Sequence, residues 1–318
     1  MNWMAFFWRP LLGACIWLLC LLRWRPVPFD VEWAISLLLF SPLVLIPLGL
    51  RLVASSSLSQ NHFGWLSWRS IEFFQTPTAL CFVFSFFLPR GDLWAIVLAL
   101  PWLIMTAFIS LFGFLRIVKR GLFPIAELGS DMGLVFLCVG GGWALLDRAG
   151  VRPLNFESVI VLLTAIHFHY AGFALPLLTG LAGRAHPGKL SLIAILGIIA
   201  GVPLVATGIT TSQLQWGHGI ECFAACFLAI AGLLTAGIYF QLFLNPSYSK
   251  KIRFLWFIAS ISLMFSMILA ILYGCRFYVS LAWLDIPWMR ALHGSANALG
   301  FSLTGILGWT FVLKRLDS

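Results

Sequence analysis

The run Ile166-His167-Phe168-His169-Tyr170 places two imidazoles and a phenol in the middle of a long apolar segment. On a regular α-helix, residues two apart point about 200° away from each other, whereas residues three apart share a face. His167 and His169 therefore cannot hold one ion together, and Tyr170 lies on the side of His167. The spacing predicts that the two imidazoles serve neighbours on opposite sides of the helix, or that one is a structural hydrogen-bonding group.

Two other apolar segments begin with polar residues that share a helical face, His218 with Glu221 and His293 with Asn297. Imidazole and carboxylate are common ligands of zinc, copper and iron, and imidazole also binds haem iron. If these segments pack against the His167 segment, we expect one polar site. Its predicted metal ligands are His167, His169, His218 and His293. The first two are also the candidate cofactor ligands, and the candidate catalytic groups are Tyr170, Glu221 and Asn297.

A pair of carboxylates, Glu127 and Asp131, is spaced four residues apart near the start of another apolar segment. Ionisable residues inside a membrane are costly and often mark proton or ion pathways. The spacing predicts a proton path on one helical face. The structural alternative is that one carboxyl group is protonated while the other reaches the membrane interface.

The seven cysteines do not indicate a disulfide framework, because their number is odd and all but Cys275 lie within apolar runs. Cys222 and Cys226 are one helical turn apart. Two thiols at this spacing are a weak indication of a metal site.

The composition excludes a soluble globular protein. Of 318 residues, 61% are hydrophobic and only 10% are charged, whereas soluble domains contain about 45–50% apolar and about 25% charged residues. The net charge of +9 comes from cations placed between apolar runs, which is typical of membrane topology signals. The expected partners are the lipid bilayer and a lipophilic small molecule, and not nucleic acid.

We expect an all-α, polytopic transmembrane bundle that forms a single domain over residues 1–318. A span of the bilayer takes about 20 residues. Apolar runs bounded by charge, Pro and Gly predict about ten spans: Pro10–Leu22, Glu32–Ala54, Ile71–Leu88, Leu93–Leu115, Phe123–Leu146, Ser158–Ala182, Leu190–Thr211, Gly219–Leu244, Phe254–Gly274 and Ala291–Val312. The first is short, and the third contains Glu72 and Pro77, so nine spans is the alternative.

The cations predict the orientation of the bundle. With ten spans, the side opposite the termini carries the minority of them: Arg23, Arg25, Arg90, Arg148, Arg152, Arg276 and Arg290. Because cytoplasmic loops are enriched in Lys and Arg, both termini are expected in the cytoplasm. His62 and His186 are expected in loops.

The His-Phe-His-Tyr run resembles the haem-ligand helix of the haem–copper oxidase large subunit, in which two histidines bind two haems on opposite helix faces. The adjacent His-His pair of that family is missing here, and Gly-His-x-x-Glu at His218 follows the His-x-His helix instead of preceding it. The chain is therefore not identified as an oxidase.

Two longer motifs resemble the YndJ-like family of bacterial integral membrane proteins. They are His-Phe-His-Tyr-Ala-Gly-Phe from His167 to Phe173 and His-Gly-x-x-Asn-Ala-x-Gly-Phe from His293 to Phe301. The resemblance implies a polytopic protein of the bacterial plasma membrane and no particular reaction.

Three hypotheses follow for the function. The first is a membrane protein that binds a metal ion or haem at the histidines and acts on a lipophilic substrate. The second is a proton-coupled transporter or channel that uses Asp131, the mid-membrane histidines and Glu221. The third is a non-catalytic assembly component or sensor, in which the histidines bond neighbouring helices.

Overall fold

The computed structural model describes residues 3–54, 68–279 and 281–316. His62, which the sequence places in a loop, lies outside the described residues, and His186 lies in the bend after a helix, as expected. The described chain is helical, with connecting turns and no strand. Ten helical segments follow one another: α1 Trp3–Trp24, α2 Val31–Val53, α3 Trp68–Ser85, α4 Leu93–Arg120, α5 Ile125–Ala149, α6 Ser158–Ala185, α7 Lys189–Gln213, α8 Gly219–Leu244, α9 Lys250–Gly274 and α10 Ile286–Lys314.

The all-α prediction is confirmed. Among the described residues, nine helices are long and apolar enough to cross a membrane. The exception is α3, which corresponds to the third predicted span and carries Arg69, Glu72 and Pro77. Its 18 residues extend about 27 Å, close to the thickness of the hydrocarbon core.

Contacts at both ends of α3 show that it extends from one end of the bundle to the other. Near its start, Glu72 pairs with Arg51 at the end of α2, at 3.7 Å. At its other end, the Arg148 guanidinium at the end of α5 donates to the carbonyl oxygens of Ser85 and Leu88, at 3.0 and 2.8 Å. We call the end where α5 begins the Asp131 end, and the end where α8 begins the Glu221 end.

Helix caps and small residues account for much of the local geometry. The Asp92 carboxylate caps α4 by accepting from the amide of Trp94 at 2.8 Å. Gly197 and Gly201 of α7 face α8. A Cβ atom on Gly197 would lie 2.8 Å from Ala231 Cβ, and one on Gly201 would lie 2.9 Å from Leu228 Cδ1. This G-x-x-x-G pair therefore serves close helix packing.

Three of the helices contain π-helical turns. They lie at Ser41–Leu45 in α2, at Phe168–Ala174 in α6, and at Met289–Gly294 and Ala296–Leu303 in α10. π-Helical turns are rare and are frequent at functional sites. All three helices contribute residues to the cavity described next.

Candidate ligand-binding cavity

A cavity of about 590 Å³ lies among α2 and the helices from α5 to α10. This volume is in the range of small-molecule sites. Six of the predicted site residues line it: His167, Tyr170, His218, Glu221, His293 and Asn297. The structure therefore brings the sixth, eighth and tenth predicted spans together around one space.

Polar residues are concentrated toward the Glu221 end of this cavity. Along α8 the lining begins with His218 and Glu221 and continues with Leu228. Along α10 it begins with Ile286 and Met289, the polar residues Arg290 and His293 follow, and Phe301 lines it farther from that end. An amphiphilic molecule would therefore find polar partners at one end and an apolar wall at the other.

His167 lies on the cavity wall at the last residue before the π-helical turn of α6. Its Nε2 atom is buried and has no hydrogen-bond partner among the described residues. A buried polar atom without a partner loses its hydration without compensation. A ligand that exchanged a hydrogen bond with this nitrogen would remove that cost.

His169 points away from the cavity, as the 200° argument predicts for one of the two imidazoles. It is 0% exposed. Its Nε2 accepts from the Trp102 indole N–H at 3.1 Å, and its Nδ1–H donates to the Ala165 carbonyl oxygen at 2.8 Å. Both ring nitrogens are thus occupied by hydrogen bonds, and His169 is a structural group rather than part of the cavity.

His293 and Asn297 form a hydrogen-bonded cluster with Ser266 of α9. The Nδ1–H of His293 donates to the Ser266 carbonyl oxygen at 2.9 Å. The Asn297 amide donates to His293 Nε2 at 3.1 Å and to the Ser266 hydroxyl at 2.5 Å. These contacts fix the orientation of His293 on the cavity wall and use both of its ring nitrogens.

At the Glu221 end, an ion pair and a stack of rings border the cavity. Arg276 donates to the Glu221 carboxylate at 2.6 Å, and its guanidinium lies 4.1 Å from the ring centres of Tyr273 and Phe277. The His218 ring stacks on Phe277 at 3.6 Å between ring centres. Glu221 is therefore neutralised by Arg276.

Arg290 lines the cavity, whereas its position in the sequence indicated only a topology signal. It is 8% exposed, and its guanidinium donates to the Phe29 carbonyl oxygen. Its Nε atom has no hydrogen-bond partner among the described residues. The Arg290 guanidinium interacts electrostatically with the carboxylates of Asp30, Glu32 and Asp285. In the described structure, none of these three carboxylates forms an ion pair with it within 4 Å. The sequence feature that could have identified Arg290 as a cavity residue is its spacing of three residues from His293.

Tyr170 closes one side of the cavity against α2. Its hydroxyl donates to the Leu37 carbonyl oxygen at 2.7 Å. That carbonyl belongs to the turn of α2 just before the π-helical segment at Ser41–Leu45. Tyr170 therefore links α6 to α2 by a hydrogen bond and also lines the cavity.

Glu127 and Asp131 do not line the cavity. Asp131 is 0% exposed and binds Arg116 at 2.6 Å and Arg120 at 2.5 Å. Glu127 pairs with Arg184 of α6 and lies 3.4 Å from Arg116. Their cationic partners come from two other helices, α4 and α6. The structure thus places these carboxylates in an ion-pair network at the opposite end of the bundle.

The structure does not gather the four span histidines into a metal site. Within the described part of the chain, three ligating side chains approach one another only at Cys222, Cys226 and Cys275. His169 lies against Trp102, and His293 is held by Ser266 and Asn297. Of the four histidines predicted as metal ligands, His167, His218 and His293 line the cavity, and His169 lies outside it.

Comparison with known proteins identifies the family of this chain but no related protein of solved structure. The family model described as "YndJ-like protein" matches residues 36–301. The chain is also 31% identical over 214 residues to "Uncharacterized membrane protein YndJ" of Bacillus subtilis (strain 168). That match covers 66% of this chain and 38% of the Bacillus protein. No solved structure shows a significant match to the chain.

Proposed function

This chain belongs to the YndJ-like family of membrane proteins, and on that premise we propose that it binds a lipophilic molecule with a hydrogen-bonding head group inside the cavity. The observation that carries the proposal is that two residues lining a cavity of about 590 Å³, His167 and Arg290, each have a buried nitrogen, Nε2 and Nε respectively, with no hydrogen-bond partner among the described residues. The proposed location is the bacterial plasma membrane.

The lining defines the class of ligand. The Nε–H of Arg290 is a donor only, so it requires an acceptor oxygen on the ligand. His167 can donate or accept at Nε2, depending on its tautomer. A carboxylate, an ester or a phosphate ester would supply such oxygens, and a hydrocarbon chain would cover the apolar end formed by residues such as Leu175, Leu228 and Phe301.

The contacts favour this function over metal or haem binding at the histidines and over a proton path. Haem or metal chemistry at the histidines would need imidazole nitrogens that His169 and His293 use for hydrogen bonds. A proton path from Asp131 would need a connection to the cavity, but Asp131 is held by Arg116 and Arg120 at the other end. Neither use of these residues is therefore part of the proposal.

The test is competition for the cavity by lipids with different head groups. The protein is placed in nanodiscs with a fluorescent fatty acid, and the competitors are oleic acid, monooleoylglycerol and octadecane. The first two contain acceptor oxygens, and octadecane contains none. We expect the first two to displace the probe and octadecane to leave it bound.

Two variants locate the binding. Loss of one hydrogen bond costs about 0.5–1.5 kcal/mol, so His167→Leu should weaken binding roughly 2- to 12-fold. Ala206→Trp, on the α7 wall of the cavity, should weaken binding strongly because the indole occupies space that the ligand needs. Ile193→Trp is the matched control, because Ile193 lies on the outer side of the same helix and is 58% exposed. Unchanged binding in Ala206→Trp would refute the proposal.

A further inference from the structure

Three cysteine thiols meet beside the Glu221 end of the bundle, outside the cavity wall. Cys222 and Cys226 lie one turn apart on α8, and Cys275 follows the end of α9. The Cys275 sulfur lies 3.5 Å from that of Cys222 and 3.7 Å from that of Cys226. All three sulfurs are within 4.8 Å of one another.

These separations match three thiolates around one ion. With metal–sulfur bonds of about 2.3 Å, sulfur atoms are about 3.8 Å apart in tetrahedral geometry and about 4.0 Å apart in trigonal geometry. Each cysteine is only partly buried, so an ion has access to the sulfurs. Soft thiolate ligands favour Cu(I) and Zn²⁺ over harder ions such as Mg²⁺.

Contacts of the two residues that flank Cys275 hold it against α8. A Cβ atom on the preceding residue, Gly274, would lie 2.5 Å from Ala225 Cβ, so glycine allows the close approach. The following residue, Arg276, pairs with Glu221, which directly precedes Cys222, at 2.6 Å.

We propose that Cys222, Cys226 and Cys275 form a binding site for a single thiophilic metal ion, Cu(I) or Zn²⁺. Binding releases the thiol protons, as thiolate coordination requires. The three sulfurs leave an ion of tetrahedral preference one position for a further ligand. The metal site is distinct from the lipid-binding cavity because none of its three cysteines lines that cavity.

The first experiment uses the wild-type protein in detergent under reducing conditions, with Zn²⁺, Cu(I) and Mg²⁺ as separate probes. We expect about one equivalent of Zn²⁺ or Cu(I) to bind and Mg²⁺ not to bind. Bound metal should protect Cys222, Cys226 and Cys275 from alkylation by N-ethylmaleimide, as read by peptide mass spectrometry. Cys81 and Cys138 should react equally with and without metal.

The second experiment compares serine variants. Cys275→Ser should weaken binding of the preferred ion at least about tenfold, and Cys222→Ser should have a similar effect. Cys138→Ser, in α5, is the matched control and should bind like the wild type. Equal alkylation of the three thiols with and without metal would overturn the proposal. So would a Cys222–Cys275 disulfide in protein alkylated directly in native membranes.

Discussion

Trp102 of α4 donates its indole N–H to the Nε2 atom of His169 of α6, at 3.1 Å, and the two rings lie nearly parallel, at 19°. Both side chains are 0% exposed. Two residues before His169, His167 lines the cavity, and its Nε2 atom has no hydrogen-bond partner within the described part of the chain. The two histidines of one helix thus have different surroundings, because His169 bonds a neighbouring helix and His167 lines the cavity.

The Trp102–His169 bond should appear as a coupling in a double-mutant cycle. His169→Leu leaves the indole donor unpaired, and Trp102→Phe leaves Nε2 unpaired, so each should destabilise the protein. The double variant should lose less free energy of unfolding than the two single variants lose together. The difference, which is the coupling energy, should be about 0.6–1.7 kcal/mol. Unfolding of the four proteins in a detergent titration gives this coupling energy. Strictly additive losses of stability would show that the Trp102–His169 bond contributes nothing.

His167→Leu should leave stability unchanged or raise it. The substitution removes a buried nitrogen that has no partner among the described residues, and replacing an unpaired polar group by an apolar group of similar size carries no hydrogen-bond loss. Thermal unfolding without added lipid checks this against His169→Leu. A melting temperature reduced as far as in His169→Leu would indicate a structural bond at His167.

Asp131→Asn should be more destabilising than Glu127→Gln. Asp131 is 0% exposed and holds both Arg116 and Arg120, whereas Glu127 pairs with Arg184, whose side chain is 28% exposed. Removing one partner of a buried ion pair costs about 3–5 kcal/mol, and solvent screens the more exposed pair. The unfolding midpoints of the two variants, measured in parallel, test which substitution is more destabilising.

Gly141→Ala should destabilise the α4–α5 contact, while Gly142→Ala should be tolerated. A Cβ atom at Gly141 would lie 2.0 Å from Thr106 Oγ1, whereas one at Gly142 would meet nothing within 4 Å. Overpacking of this kind costs about 1–3 kcal/mol. The two adjacent substitutions change helix propensity equally, so the difference between their melting temperatures isolates the steric clash. Equal melting temperatures would show that the contact can relax.

The sequence by itself determined the class of fold and the helical faces. Apolar runs long enough to span a bilayer predicted the helices, because backbone groups in lipid must be satisfied within the helix. Angular spacing along one helix separated His167 from His169, and paired Glu221 with His218 and Asn297 with His293. These are local properties, fixed by the geometry of a single helix.

Only the tertiary structure decided which groups each polar residue contacts. Arg276 reaches Glu221 across 55 residues of sequence, Cys275 reaches Cys222 across 53, and Trp102 reaches His169 across 67. Apolar periodicity gives the buried face of a helix but not the neighbour that packs against it, because lipid and protein interior are similarly apolar. The cavity, the paired Asp131 and the three-thiol cluster all depend on that packing.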